Sequence, residues 1–169
     1  MTKSLLSLFT LILLSLTTWA YAQHKKHSDK TVAAGSASHV LVAPEAVTWG
    51  PAPPALPAGA EVAVLQGDPS KAGLPFTMRA KFPDGYKIAP HWHPTDENVI
   101  VLQGTLMLGL GEKADQTAAR EMPVGSYGLM PKGMRHFAMA KGDTIIQIYG
   151  IGPFEINYVN AADDPRNKK

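Results

Sequence analysis

The stretch GYKIAPHWHPTDENVIVLQG, Gly85 to Gly104, sets His91 and His93 one residue apart and puts Glu97 four residues beyond the second of them. The chain has only six histidines. Two imidazoles and a carboxylate make a poor core and a poor turn, but they make half of a metal site. Alternate strand residues point to one face, so at the end of a strand both imidazoles project together while Trp92 points away. Pro94-Thr95-Asp96 is expected to turn, and Glu97 to open an antiparallel strand that brings its carboxylate back in a hairpin. A lone His-x-His is more often a pair of surface or hydrogen-bonded histidines. A further partner is needed.

His136 supplies it. In GSYGLMPKGMRHFAMA, Gly125, Pro131 and Gly133 precede His136, and proline and glycine are the residues that a tight turn uses. His136 is therefore expected just inside a strand, facing inward. Imidazole suits Fe, Ni, Cu and Zn, and one carboxylate extends the range to Mn. Four protein ligands on an octahedral ion leave two positions open, whereas a closed tetrahedral zinc leaves none and would be structural.

Around these motifs the chain reads as short strands. EVAVLQG, FTMRAKF, YKIAPHWH, NVIVLQG, TLMLGLG, SYGLM, RHFAMA and DTIIQIYG are separated by segments rich in Gly, Pro and Asp, the spacing of a sandwich or barrel. Glu112–Glu121 has no apolar stripe and is expected to be a loop with one turn. WGPAPPALPAGAE, rich in proline, is expected as a loop or edge strand. The class is all-β, with one domain. There is no cysteine, so disulfides, thiolate metal sites and a cysteine nucleophile are excluded. Net charge is +2, and the basic residues are scattered apart from His24-Lys25-Lys26-His27, so no nucleic-acid partner is expected.

Residues 1–22 are expected to be a signal peptide: Lys3, the apolar run Leu5–Leu16, then Ala20-Tyr21-Ala22 as a cleavage site. Residues 23–38 would be a polar, flexible tail, in which His24 and His27 are expected to be solvated. The domain would span 39–160, opening with a strand and the proline-rich segment, and 161–169 would be a polar tail. A periplasmic or secreted protein with no stable membrane anchor after cleavage follows.

The order Gly85-x5-His91-x-His93-x3-Glu97-x6-Gly104 resembles the first cupin motif at every position. Gly125-x5-Pro131-x-Gly133-x2-His136 resembles the second, which ends in asparagine where this chain has Ala140. The resemblance covers roughly Glu61 to Tyr158, and in particular is to small exported bacterial cupins. It implies a single antiparallel cupin β-barrel, a double-stranded β-helix of jelly-roll type. It also implies one divalent transition metal ion (Fe, Mn, Ni, Cu or Zn) held by His91, His93, Glu97 and His136. Ala140 removes a hydrogen-bonding side chain from that pattern without touching the ligands.

Candidate pocket residues are Gln147 and Tyr149, on the parity opposite to Ile146 and Ile148, and Arg79, an anion-binding candidate. Met78, Leu106, Met107, Met130, Met134 and Met139 are expected as apolar lining. Three functional classes stay open: a metal-dependent dioxygenase, lyase or isomerase on a small organic molecule; a non-catalytic metal-dependent binding or sensing module; and a metal-stabilised structural protein. A small-molecule ligand is the expected partner. A homodimer is compatible with the fold, though no residue demands it.

Overall fold

A computed structural model describes residues 39–168, all but His39 within the unit Val40–Lys169. The expected signal peptide and tail, 1–38, lie outside the described residues. Nine strands form one antiparallel sheet: β1 (Gly50–Pro51), β2 (Glu61–Gln66), β3 (Pro75–Phe82), β4 (Lys87–Trp92), β5 (Glu97–Leu110), β6 (Arg120–Pro123), β7 (Tyr127–Met130), β8 (His136–Ile151) and β9 (Asn157–Tyr158). The proline-rich segment does contribute an edge strand, β1. The 112–121 segment does contain a single 3-10 turn, Gln116–Ala118.

β5 and β8 organise the fold. The first half of β5 pairs with the second half of β8, from Asn98↔Tyr149 to Val101↔Ile146, and there β3 and β7 flank the pair. The second half of β5 pairs with the first half of β8, from Thr105↔Lys141 to Leu110↔His136, flanked by β4 and β6. The sheet thus has two halves that share their central strands, the topology of a rolled barrel.

The sequence suggested four short strands where there are two long, bent ones. The bend is built from glycine. Between Gln103↔Ile145 and Thr105↔Lys141 the register slips, so β5 advances two residues while β8 advances four. Gly104 (φ +68°) and Gly142 (φ +74°) occupy the left-handed region there, which L side chains enter at a cost. Gly104 also has no room for a side chain, since a Cβ would lie 2.5 Å from the Asp143 carbonyl oxygen. Asp84 braces the bend by accepting the Gly142 N–H at 2.6 Å.

Strand alternation then decides what faces inward. On β3, Phe76, Ala80 and Phe82 are buried; on β5, Val99, Val101 and Leu106; on β8, Ala138, Ala140, Ile146 and Ile148. Burying each of the larger aliphatic or aromatic side chains stabilises the fold by roughly 1.5–3 kcal/mol. Tyr86 stacks on Phe82 at 4.9 Å, and its hydroxyl donates to the Pro57 carbonyl at 2.5 Å. The Tyr158 hydroxyl donates to Ala55 at 2.8 Å. These two bonds hold the Pro53–Pro57 loop against the barrel, with Leu56 buried.

The C-terminal residues do not trail away. Ala161–Asp163 and Pro165–Asn167 form 3-10 turns, and the Arg166 guanidinium donates to Asp164 and to the Ile156 carbonyl.

Candidate metal centre

His91 lies near the end of β4, His93 just past it, Glu97 opens β5 and His136 opens β8. All four are buried, with exposures of 3%, 3%, 6% and 2%. The hairpin expected between the first two elements does not form. Among the described strands, β4 pairs with β8 and β9, and β5 with β6, β7 and β8. The chain crosses at Pro94–Asp96 from one half of the sheet to the other, so Glu97 reaches the histidines across the interior. His136 likewise opens a strand that is not paired with the one before it. Two bonds lock the motif loops together instead: the Gly133 N–H donates to the His93 carbonyl and the Lys132 N–H to the Asp96 carboxylate, both at 2.8 Å.

Each imidazole is oriented by the backbone. His91 Nδ1 lies 2.8 Å from the Ala89 carbonyl, His93 Nδ1 2.7 Å from Glu155, and His136 Nδ1 3.0 Å from Met134. A carbonyl only accepts, so each Nδ1 carries a proton and donates, and in the neutral ring Nε2 keeps its lone pair. Phe154 stacks on the His93 ring at 4.4 Å and 16°. The three histidines offer ligand atoms that all lie within 4.8 Å of one another.

Glu97 Oε2 lies 3.4 Å from His93 Nε2 and 3.3 Å from His136 Nε2. The His93 contact lacks hydrogen-bond geometry, and that Nε2 is a buried nitrogen with no partner. Lone pairs of neutral rings facing a carboxylate in a buried space are mutually repulsive unless a proton or a cation stands between them. The titration behaviour agrees. Burial, then repulsion by His136 and His93, pushes His91 down to about 3, so its ring stays neutral. For Glu97, burial alone would raise the pKa; the His93 and His136 rings beside it hold the carboxyl below its usual range instead, an attraction that needs a proton or a cation between rings and carboxylate. A cation among these groups would supply the same attraction. The donor set, three backbone-oriented imidazoles with a carboxylate beside them, fits one divalent transition ion.

Gln147, Tyr149 and Arg79, the candidate pocket residues, are not on the cavity wall. Arg79 and Gln147 are in register on β3 and β8, and Arg79 Nε donates to Gln147 Oε1 at 3.2 Å on the opposite face from Ile146 and Ile148. The apolar parity of β8 faces inward because the interior is apolar. Met78, Leu106 and Met130 do line the cavity; Met107 and Met139, in register on β5 and β8, have the other parity, and Met134 packs against the core. Nothing in the sequence marked Phe154 or the Glu155 carbonyl. Leu56 had a faint one, as a lone large apolar residue among prolines.

Residues 37–155 match the ChrR Cupin-like domain. This chain belongs to that cupin family. The cupin also resembles two rice (Oryza sativa subsp. japonica) proteins: germin-like protein 5-1, at 39% identity over 32% of the chain and 25% of the relative, and germin-like protein 2-4, at 32% over 36% and 27%. It thus spans about a quarter of the length of these curated relatives. Among solved structures, the polyketide cyclase RemF from Streptomyces resistomycificus shares the fold with a TM-score of 0.62 and 18% identity, over 76% of this chain and 90% of that one. A candidate acetylacetone dioxygenase from Methylibium petroleiphilum PM1 gives 0.57 and 18%, over 76% and 85%. An RmlC-like cupin from Shewanella frigidimarina NCIMB 400 gives 0.52 and 14%, over 68% and 93%. At such identities the likeness establishes the fold alone.

Proposed function

We propose that this cupin is an exported, mononuclear metal-dependent enzyme acting on a small organic molecule, with dioxygenase-like chemistry favoured, and with His91, His93, Glu97 and His136 as the metal ligands. The observation that carries it is the set of three buried imidazoles, each with Nδ1 bonded to a backbone carbonyl. In the neutral rings that leaves each Nε2 lone pair to an ion. A bound transition ion would supply Lewis acidity or redox chemistry at this point. The chain's own residues orient the rings, exclude bulk water and keep His91 neutral. Fold neighbours named as a polyketide cyclase and a candidate acetylacetone dioxygenase lend support to small-molecule chemistry.

The test is metal analysis of protein purified from its native compartment, followed by dioxygen uptake by the Fe(II) form with small phenols, enols or diketones. Wild type should consume dioxygen and Glu97→Gln should not; equal uptake by both would be adventitious iron chemistry. One observation favours a second reading, a non-catalytic binding or sensing module: among the described residues, no titratable side chain lines the cavity besides the four polar residues already named. Fully ligated zinc and no turnover across the panel would select it. Export rests on Ala20-Tyr21-Ala22 and predicts a mature protein that begins at Gln23; secreted material that retained Met1 would refute it.

A further inference from the structure

Besides the four polar side chains, the residues that line the cavity among the described residues are apolar. Its volume is small, about 50 Å³, and it opens to solvent. Its walls are aliphatic, thioether or aromatic, Leu56, Met78, Leu106, Met130, Ile146 and Phe154 among them. No Arg, Lys, Ser, Thr, Asn, Gln, Asp or Tyr side chain lines it among the described residues. Arg79 and Gln147, which follow Met78 and Ile146 in sequence, bond to each other on the outer face.

This division limits what can enter. A hydroxyl taken from water into such a space without a partner weakens binding on the order of tenfold to a hundredfold. A sugar or sugar acid would carry several. A hydrocarbon body gains instead, about fourfold in affinity for each methylene buried.

We propose that the cavity binds a small molecule with a single oxygen-donor head, which faces His91, His93, His136 and Glu97, and an unsubstituted hydrocarbon body, and that it rejects polyhydroxylated ligands. The head depends on the metal-centre reading above; the body does not. Leu56 limits the body on one side. It is carried by a loop, which the Tyr86 and Tyr158 hydroxyls hold by bonds to the Pro57 and Ala55 carbonyls.

The experiment titrates the Co(II)-loaded protein with straight-chain hydroxamic acids from two to eight carbons, following the visible absorption of the ion, with gluconate as a chelating polyol control. Affinity should rise about fourfold per methylene until the cavity is filled. Gluconate should bind at least a hundredfold more weakly than the six-carbon hydroxamate. Leu56→Ala should lengthen the longest chain accepted. Affinity independent of chain length, or gluconate matching the six-carbon hydroxamate, would overturn the proposal; both are read on wild type, whatever the variant's stability. If the protein takes up no Co(II), the metal-centre reading has failed separately. Straight-chain alcohols of four to eight carbons, followed by thermal shift on the metal-free protein, then decide the body. Stabilisation that grows with chain length upholds it, and none refutes it.

Discussion

Glu97 and His136 begin the two longest strands of the barrel and meet at 3.3 Å, although they start at opposite ends of one ladder. His136 is in register with Leu110, at the far end of β5 from Glu97. In a flat sheet, thirteen strand residues at about 3.3 Å each would hold these two side chains about 40 Å apart. Their contact therefore measures how completely the sheet is rolled, and it ties the site to the bend at Gly104 and Gly142.

The bend can be tested by comparing its two glycines. Gly104→Ala forces a Cβ into the Asp143 carbonyl as well as a left-handed backbone. Gly142 has the same backbone strain but open space around it. Gly142→Ala should cost about 1 kcal/mol, and Gly104→Ala roughly 3 kcal/mol. Thermal unfolding would show the difference, and only the Gly104 variant should also lose metal affinity. Equal losses would mean that the close approach at Gly104 is easily relieved.

His93 provides a test of orientation. Phe154 stacks on its ring, and the next residue's carbonyl accepts from its Nδ1. Phe154→Ala should weaken metal binding by about tenfold, the low end for removing an outer partner of a ligand. Phe76 also packs against Phe154, with ring centroids 5.3 Å apart. Phe76→Leu should lower the melting temperature while leaving the affinity nearly unchanged. Competition titrations against a chromophoric chelator would separate the two effects.

What the sequence could show, and what it could not, follows from the range of the interactions. The three histidines and Glu97 sit where local turns put them, so their spacing reveals which residues belong together. Strand partners are set by the rolling of the whole sheet, so the expected hairpin joining His91 and His93 to Glu97 was wrong even though the residues do meet. Gln147 and Tyr149 alternate with Ile146 and Ile148 in plain view, but alternation cannot say which face is inside; here the ordinary preference for apolar burial won. Phe154 reaches His93 from an irregular segment after β8, where no periodicity marks a contact.

Acid should destabilise the metal-free protein before any carboxylate titrates. His91 has its folded pKa lowered to about 3, while an unfolded histidine titrates near ~6.5. As pH falls between those values the unfolded chain binds a proton that the folded one refuses, so stability present above ~6.5 is lost on the way down. At pH 5 the loss from His91 is about 2 kcal/mol. Glu97 is also lowered, so its contribution is lost only below the unfolded carboxyl range, near ~4.3. Urea unfolding at pH 7.5 and pH 5 should show this loss, and His91→Phe should flatten it. A wild type equally stable at both values would mean that His91 protonates freely in place.

The metal itself should be a large part of the protein's thermal stability. No disulfide shares that role, since the chain has no cysteine. An ion that binds the folded barrel and not the unfolded chain stabilises it by RT ln(1 + [L]/Kd), about 4 kcal/mol at a thousandfold excess over Kd. For a chain of this size each kcal/mol moves the melting midpoint by ~2–4 °C, so chelation should lower it by about 8–16 °C. The shift should shrink as pH falls through the histidine range, because protons compete for the same Nε2 lone pairs. His136→Ala should abolish most of it, because it removes the only ligand from the second motif and leaves Glu97 facing one fewer ring. Melts with and without EDTA, with elemental analysis to show that the ion has left, would decide the matter. Identical midpoints for loaded and stripped protein would mean that the four side chains are held in place by the barrel alone, and that the rolled sheet needs no ion to bring Glu97 to His136.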